Sequence, residues 1–259
     1  MPRFDVSRKQ LVVAMDHGRA RGVTPGLEDA GRVIDVMIEA GADAILTSYG
    51  IVKRYRERLI GRIPTILRLD GGPSRYREDW LANTEWSLLH AVEDAHDLGA
   101  DGVCTMVFMG GAVELDTLEI TAEVAGACLR DGLPLMVEAL PCPSERIPDP
   151  MDAGAMASAC RLGFERGADV LKTYATGSAE SFRRVIASCP APVLIAGGSR
   201  MDNERAVLQV VRDTLDAGSR GVVFGRNIWQ SPNPAKMVEA LRHLIHHDGT
   251  VDQAALLLR

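Results

Sequence analysis

From residue 9 onward, short β-branched and aliphatic runs alternate with longer stretches whose apolar positions recur every three to four residues, nearly to the end of the chain. The runs are QLVVAM (10–15), DAILTS (43–48), PTILRL (64–69), DGVCTMV (101–107), LPLMVEA (133–139), DVLKTY (169–174), APVLIAG (191–197) and RGVVFG (220–225). Between them, segments such as LEDAGRVIDVMIEAG and NTEWSLLHAVEDAHDLGA carry an apolar stripe at helical spacing and close on glycine, which permits a left-handed cap. The tetrads AGAD, LGAD, RGAD and AGSR recur just before strands. Eight strands with intervening helices predict a closed α/β (β/α)8 TIM barrel rather than an open doubly wound sheet, as a single domain over residues 1–259. The basic stretch 50–62 predicts a short helix on the second loop. Residues after about 231 supply the eighth helix and a C-terminal tail, expected to pack on the barrel base or a neighbouring subunit.

Length and composition agree with that picture. The 259 residues are what one such barrel needs, and 46% hydrophobic with 25% charged residues describes a globular chain with an ample core. A formal net charge of -6, with no long Lys or Arg run, lacks the basic excess of a nucleic-acid surface, so an anionic ligand must meet a local positive patch. No 18-residue apolar segment and no signal-like start appear, which predicts a cytoplasmic chain with no membrane partner. The five cysteines, Cys104, Cys128, Cys142, Cys160 and Cys189, form no CxxC pair or zinc spacing and read as reduced thiols.

Ligands of such barrels bind at the C-terminal strand ends. That selects Asp16, His17, Ser48, Arg68, Asp70, Glu138, Lys172, Tyr174, Gly197, Gly198, Gly225 and Arg226. After the seventh and eighth runs come AGGSR and FGRNIWQ, Gly-bearing turns whose backbone N–H groups approach an anion closely. Gly197, Gly198, Ser199, Gly225 and Arg226 are therefore the expected phosphate cradle. Lys172 ends the sixth run. Walled in by the barrel and crowded by cations it would lose its proton and attack a carbonyl; otherwise it extends to solvent. Asp16 is placed to hold Lys172 or a substrate hydroxyl and to move protons. The histidines other than His17 fall on helices, so no His-ligated metal is expected.

Together, MDHG, LKTYATG, VLIAGGSR and GVVFGRNIWQ resemble the class I aldolase family that contains archaeal-type fructose-bisphosphate aldolase, aminodideoxyheptulosonate synthase and the autoinducer phosphate thiolase. The resemblance runs over almost the whole chain. It implies a cofactor-free Schiff-base enzyme for a phosphorylated ketose or dicarbonyl compound, with Lys172 as the imine-forming lysine, Asp16 as the first-strand carboxylate, and assembly into homo-oligomers such as a decamer of two stacked pentamers. Trp80, Trp86 and Trp229 are candidate interface residues, or else ordinary core or loop anchors. One position departs from the pattern. The two sugar-phosphate branches carry a fifth-strand tyrosine as proton shuttle, whereas VEALPCPSE places Leu140 there. Glu138, Tyr174, His17 or a bound water then takes that role, or the reaction differs; Glu138 reads equally as a structural pair with a barrel arginine. The thiolase branch, which transfers an acyl group to coenzyme A, also lacks the tyrosine and has a similar tail; LRLDGGPS and MGG match no feature of it. A non-catalytic phosphosugar-binding protein is the remaining alternative.

Overall fold

Each of the eight runs is buried on both faces, so its backbone groups must be paired in a sheet, and in the computed structural model of the chain they are. The structure describes residues 4–78 and 85–259. The strands are β1 (Gln10–Ala14), β2 (Ala44–Thr47), β3 (Thr65–Arg68), β4 (Gly102–Met109), β5 (Leu135–Pro141), β6 (Val170–Tyr174), β7 (Val193–Ala196) and β8 (Gly221–Phe224). They close in the order β1-β8-β7-β6-β5-β4-β3-β2, all parallel, with β1 pairing β8 from Gln10↔Gly221 to Val13↔Phe224 and β2 from Val12↔Ala44. The predicted barrel is what forms.

Alternation along the pleat sorts the core into two layers. Leu11, Val13, Ile45, Val103, Val137 and Leu171 face outward into the shell of helices. Val12, Leu46, Ile66, Cys104, Met136 and Val170 face the axis and pack with Phe4, which closes the end where the strands begin. Continuing up the inward positions, the side chains change from apolar to charged at Asp16, Arg68, Glu138 and Lys172. β4 and β5 run two residues past the predicted ends and stay paired as far as Met109↔Pro141, adding an apolar cluster of Met106, Phe108, Val113 and Leu140 above the barrel floor.

Three local expectations change. The helical pattern starting at Asn83 begins outside the described residues, and its helix spans Val92–Leu98; Ser87–Leu88 instead pairs antiparallel with Asp70–Gly71. The backbone N–H groups of Leu89 and His90 donate to the Leu69 carbonyl, which holds this segment to the end of β3. The stretch 50–62 forms two short helices, Tyr49–Arg54 and Arg56–Leu59, broken at Tyr55. The tail packs against the helical shell. Its helix Pro234–His247 lies between helices Ala30–Glu39 and Glu204–Asp216, and its last helix Val251–Leu256 packs on Glu204–Asp216, where Arg205 Nη2 reaches Asp252 Oδ1 at 2.5 Å. Trp229 is a core residue whose indole donates to the Ala14 carbonyl at 2.9 Å; Trp80 lies outside the described residues. Among the described residues no helix is long and apolar enough to cross a membrane.

The β1–β8 seam rests on Gly221, whose φ is +120° and whose missing Cβ would stand 2.0 Å from the Gln10 carbonyl oxygen. Gly221→Ala is expected to cost about 3 kcal/mol or more, from the φ penalty plus backbone displacement. Gly61→Ala, at φ +78° with open space around it, pays the φ penalty alone, about 1–2 kcal/mol. Urea midpoints of the two variants check this, and equal losses would refute the seam argument.

Candidate active site

The charged layer is organised around Arg68. This side chain is 1% exposed, and its guanidinium donates from Nη2 to Glu138 Oε2 at 2.5 Å and from Nε to Asp16 Oδ2 at 3.1 Å, with Nη1 3.5 Å from Asp70 Oδ1. The strands dictate the convergence: Asp16 follows β1, Arg68 ends β3 and Glu138 lies in β5, all at inward positions near the C-terminal rim. Asp70 comes two residues after Arg68, and its second oxygen accepts from the Met106 backbone N–H at 2.6 Å and the Trp86 indole at 2.8 Å.

Lys172 is brought into the same cluster. β6 pairs β5 with Glu138↔Lys172 in register, and Lys172 Nζ stands 2.8 Å from the Glu138 oxygen that Arg68 also holds. It does not extend to solvent, being 6% exposed, and its nearest charged neighbour is a carboxylate rather than the expected crowd of cations. Burial by itself would raise the carboxyl pKa values here. Arg68 and Lys172, with smaller help from His17 and Arg19, instead hold Asp16 well below the usual carboxylate range, and Lys172 and Arg68 hold Glu138 below it.

His17 behaves differently. Burial pushes it down to about 4 despite Asp16, whose Oδ1 lies 3.7 Å from its Nδ1, too far for a hydrogen bond. The neutral ring sits edge-on to Trp229 with centroids 5.2 Å apart, and covers Gly225 so closely that a Cβ there would lie 2.5 Å from its Cε1. Among the described residues its buried Nδ1 has no hydrogen-bond partner. Tyr174 ends β6 half-buried; burial and then Glu138 raise its phenol, so it remains protonated at neutral pH.

The expected cradle is assembled across β7 and β8. Gly198 takes φ +62°, a conformation glycine adopts freely, and Arg226 Nη2 donates to its carbonyl at 2.7 Å. Asn227, a residue no sequence signal singled out, is 4% exposed and pins the turn: its Nδ2 donates to the Gly197 and Ser199 carbonyls at 2.7 and 3.3 Å, and its Oδ1 accepts from Met201 N–H at 2.8 Å. Two of the glycines also have packing reasons, since a Cβ at Gly197 would meet the Phe224 ring at 3.0 Å and Gly225 lies under His17. Among the described residues the buried Nε of Arg226 lacks a partner, which leaves a cationic donor beside the turn.

The DeoC/LacD family aldolase description matches residues 10–231. The chain belongs to that family. It is 35% identical to the 2-amino-3,7-dideoxy-D-threo-hept-6-ulosonate synthase of Halobacterium salinarum, over 97% of this chain and 92% of that one. It is 32% identical to the 3-hydroxy-5-phosphonooxypentane-2,4-dione thiolase of Escherichia coli, over 95% of this chain and 80% of that one. A solved Schiff-base-forming fructose-1,6-bisphosphate aldolase superposes with a TM-score of 0.85 at 28% identity, covering 94% and 96% of the two chains. These are class I aldolase-type proteins on a TIM barrel, and this family member shares that fold and enzyme class.

All five candidate catalytic residues thus lie at one strand-end rim, with Lys172, Glu138 and Asp16 in one network and Tyr174 and His17 toward the cradle side. Strand-end position selects Arg68 and Asp70 without giving them a role; in the structure Arg68 holds the carboxylates and Asp70 is one of the three. The loop residues Trp86 and Arg19, whose guanidinium lies 5.3 Å from the Trp86 ring centroid, carried no signal beyond residue type.

Two outcomes follow from this electrostatics. Arg68→Met strips three buried carboxylates of their common cation and is expected to cost about 3–5 kcal/mol in urea unfolding at pH 7. His17 has a folded pKa below its unfolded value, so the unfolded chain binds more protons between about pH 4 and 6.5 and stability falls on acidification through that window. In His17→Gln that part of the acid limb flattens, whereas the loss below about pH 4, where the unfolded chain protonates Asp16 and Glu138 while the folded chain holds them ionised, persists. Unfolding curves from pH 3 to 8 check both.

Proposed function

We propose that this aldolase forms a Schiff base between Lys172 and the carbonyl of a phosphorylated ketose or dicarbonyl compound, and cleaves or makes the adjacent carbon–carbon bond. The observation that carries this is the buried Lys172–Glu138 contact at 2.8 Å, one strand away from the cradle built on β7 and β8. A phosphate held by the N–H groups of Gly198 and Ser199 and by Arg226 places a nearby carbonyl over Lys172. Lys172 gives one proton to Glu138, its neutral nitrogen attacks the carbonyl carbon, and a proton from that nitrogen passes to the carbonyl oxygen, giving a carbinolamine. The proton returned by Glu138 lets that oxygen leave as water, and the iminium remains. The carbon–carbon bond then breaks toward the iminium, whose nitrogen accepts the electron pair as an enamine forms. Glu138 is in place to exchange the proton at Lys172 nitrogen, Asp16 to accept from a substrate hydroxyl, and protonated Tyr174 to donate a hydrogen bond on the cradle side. Leu140, where the sugar-phosphate relatives' tyrosine was expected, transfers no proton.

The relatives' names support the substrate class: a bisphosphate sugar, a dideoxyheptulosonate and a phosphonooxy dione. A second reading, acyl transfer from the same iminium to coenzyme A, is favoured by Leu140 and by the thiolase relative. Incubation with dihydroxyacetone phosphate, fructose 1,6-bisphosphate and other phosphorylated ketones, then borohydride reduction and peptide mass mapping, tests both. A reduced adduct on Lys172 is expected, absent in Lys172→Arg, whose turnover falls roughly 10⁴-fold or more. Glu138→Gln is expected to keep the adduct and lose about 10²–10⁴ in kcat. Acyl-coenzyme A formed only when the thiol is added identifies the second reading, and no adduct with any ketone refutes both.

A further inference from the structure

The mouth of the barrel is polar on one side of Lys172 and apolar on the other. Strand order sets β7 and β8, with the Gly197–Ser199 turn and Arg226, on one flank of β6, and β5 and β4 on the other flank. On β5, Glu138 and Leu140 point to the axis while Val137 and Ala139 face the helices. Leu140 is therefore the next inward residue above the carboxylate that contacts Lys172, about 7 Å higher along the strand. Its register partner Phe108 joins it, and Met106, Val113, Trp86 and Cys142 complete a continuous apolar wall. Trp86 meets Phe108 edge-to-face at 4.8 Å, and its indole is fixed to Asp70. Trp86, Leu140 and Cys142 keep part of their surface open, whereas Met106 and Phe108 lie behind them at 7% and 6% exposure.

Among the described residues, the carboxylates bordering this wall are already engaged, and Arg19 is the cation at its edge. Glu138 is shared by Arg68 and Lys172, and Glu114 Oε2 accepts from the Gly110 N–H at 2.5 Å. Arg19 lies over the Trp86 ring with its Nη2 3.7 Å from Met106 Sδ and its Nε 3.9 Å from Asp16. A phosphate or hydroxylated chain pressed against Leu140 and Trp86 would lose water and, among the described residues, meet no free donor on the wall itself. An alkyl or aryl group gains about the same surface burial as a core side chain.

The geometry points to a substrate with one anionic end and one apolar end. The phosphate lies on the β7–β8 cradle, the carbonyl over Lys172, and the carbon fragment on the far side of the scissile bond carries an uncharged alkyl or aryl group that packs on Leu140, Trp86 and Phe108. This rests on the Schiff-base reading above. In the synthetic direction, the enamine formed on Lys172 from a phosphorylated ketone attacks the aldehyde carbon. The new carbon–carbon bond takes the enamine pair, the aldehyde oxygen takes the aldehyde π pair and a proton, and water hydrolyses the resulting iminium.

The test has two stages that separate the readings. Borohydride trapping with dihydroxyacetone phosphate alone asks whether Lys172 forms the imine. With the donor fixed, condensation rates are then compared for butanal, phenylacetaldehyde and glyceraldehyde 3-phosphate. The expected result is an adduct and a kcat/KM for the apolar aldehydes at least about tenfold above that for glyceraldehyde 3-phosphate. Leu140→Lys is expected to reverse the order while Lys172 still traps with dihydroxyacetone phosphate. An adduct together with a preference of the unaltered enzyme for glyceraldehyde 3-phosphate overturns the apolar assignment and leaves the imine standing, with Arg19 as the group that holds the second phosphate. No adduct overturns both.

Discussion

A buried guanidinium needs its charge balanced within hydrogen-bond reach, and Arg68 meets that demand with three carboxylates drawn from β1, the β3 loop and β5. The rest of the site follows from this constraint. Three carboxylates against Arg68 alone leave an excess of negative charge, and Lys172 enters as the second cation on an oxygen Arg68 already holds. Arg19, 3.9 Å from Asp16, stands at the edge of the remaining charge. On the proposed Schiff-base reading, a cluster balanced around a cation at the Lys172 nitrogen suits the protonated iminium, because that species carries the same charge in the same place, and forming it requires no reorganisation of the surrounding charges.

The barrel supplies the rigidity this arrangement needs. Below the charged layer the axis is filled by aliphatic side chains and closed by Phe4, so no water reaches the network from the strand starts. Above it, the β8–β1 corner is compressed into a stack of Gly225, His17 and Trp229, with the Trp229 indole tied to the Ala14 carbonyl. That stack fixes Asp16 from one side while Arg68 fixes it from the other. The imidazole in it is neutral because burial outweighs its carboxylate neighbour, so it packs without adding charge to a cluster that is already balanced.

Much of this was legible in residue order. Strand count and placement, the strand-end positions of Asp16, Glu138, Lys172 and Arg226, and the glycine turns follow from periodicity and from the geometry of parallel barrels. What was not legible depends on pairing across strands. That Arg68 is the hub requires knowing that β3 and β5 sit two places apart and that both point inward at the same height. The antiparallel pair Asp70–Gly71 with Ser87–Leu88 overrode a helical pattern because Trp86 and the Leu89 and His90 N–H groups find tertiary partners there. Asn227 had no marker at all: its work is to satisfy carbonyls of a turn thirty residues away. The tail's contact with Glu204–Asp216 was likewise a matter of packing between distant helices.

Leu140 shows how a single departure gains meaning once the neighbours are seen. Taken alone, a leucine in place of a tyrosine is a lost proton donor. In the structure it is one face of an apolar wall whose other members could not coexist with a buried phenol unless that phenol had a partner, and the nearest polar groups are already spent on Arg68. Asp70 joins the two halves. One oxygen faces Arg68, and the other accepts from the Trp86 indole and the Met106 N–H, so the carboxylate that helps neutralise the hub also sets the orientation of the wall. Charge balance beneath the lysine and apolar shape above it are therefore fixed by the same side chain.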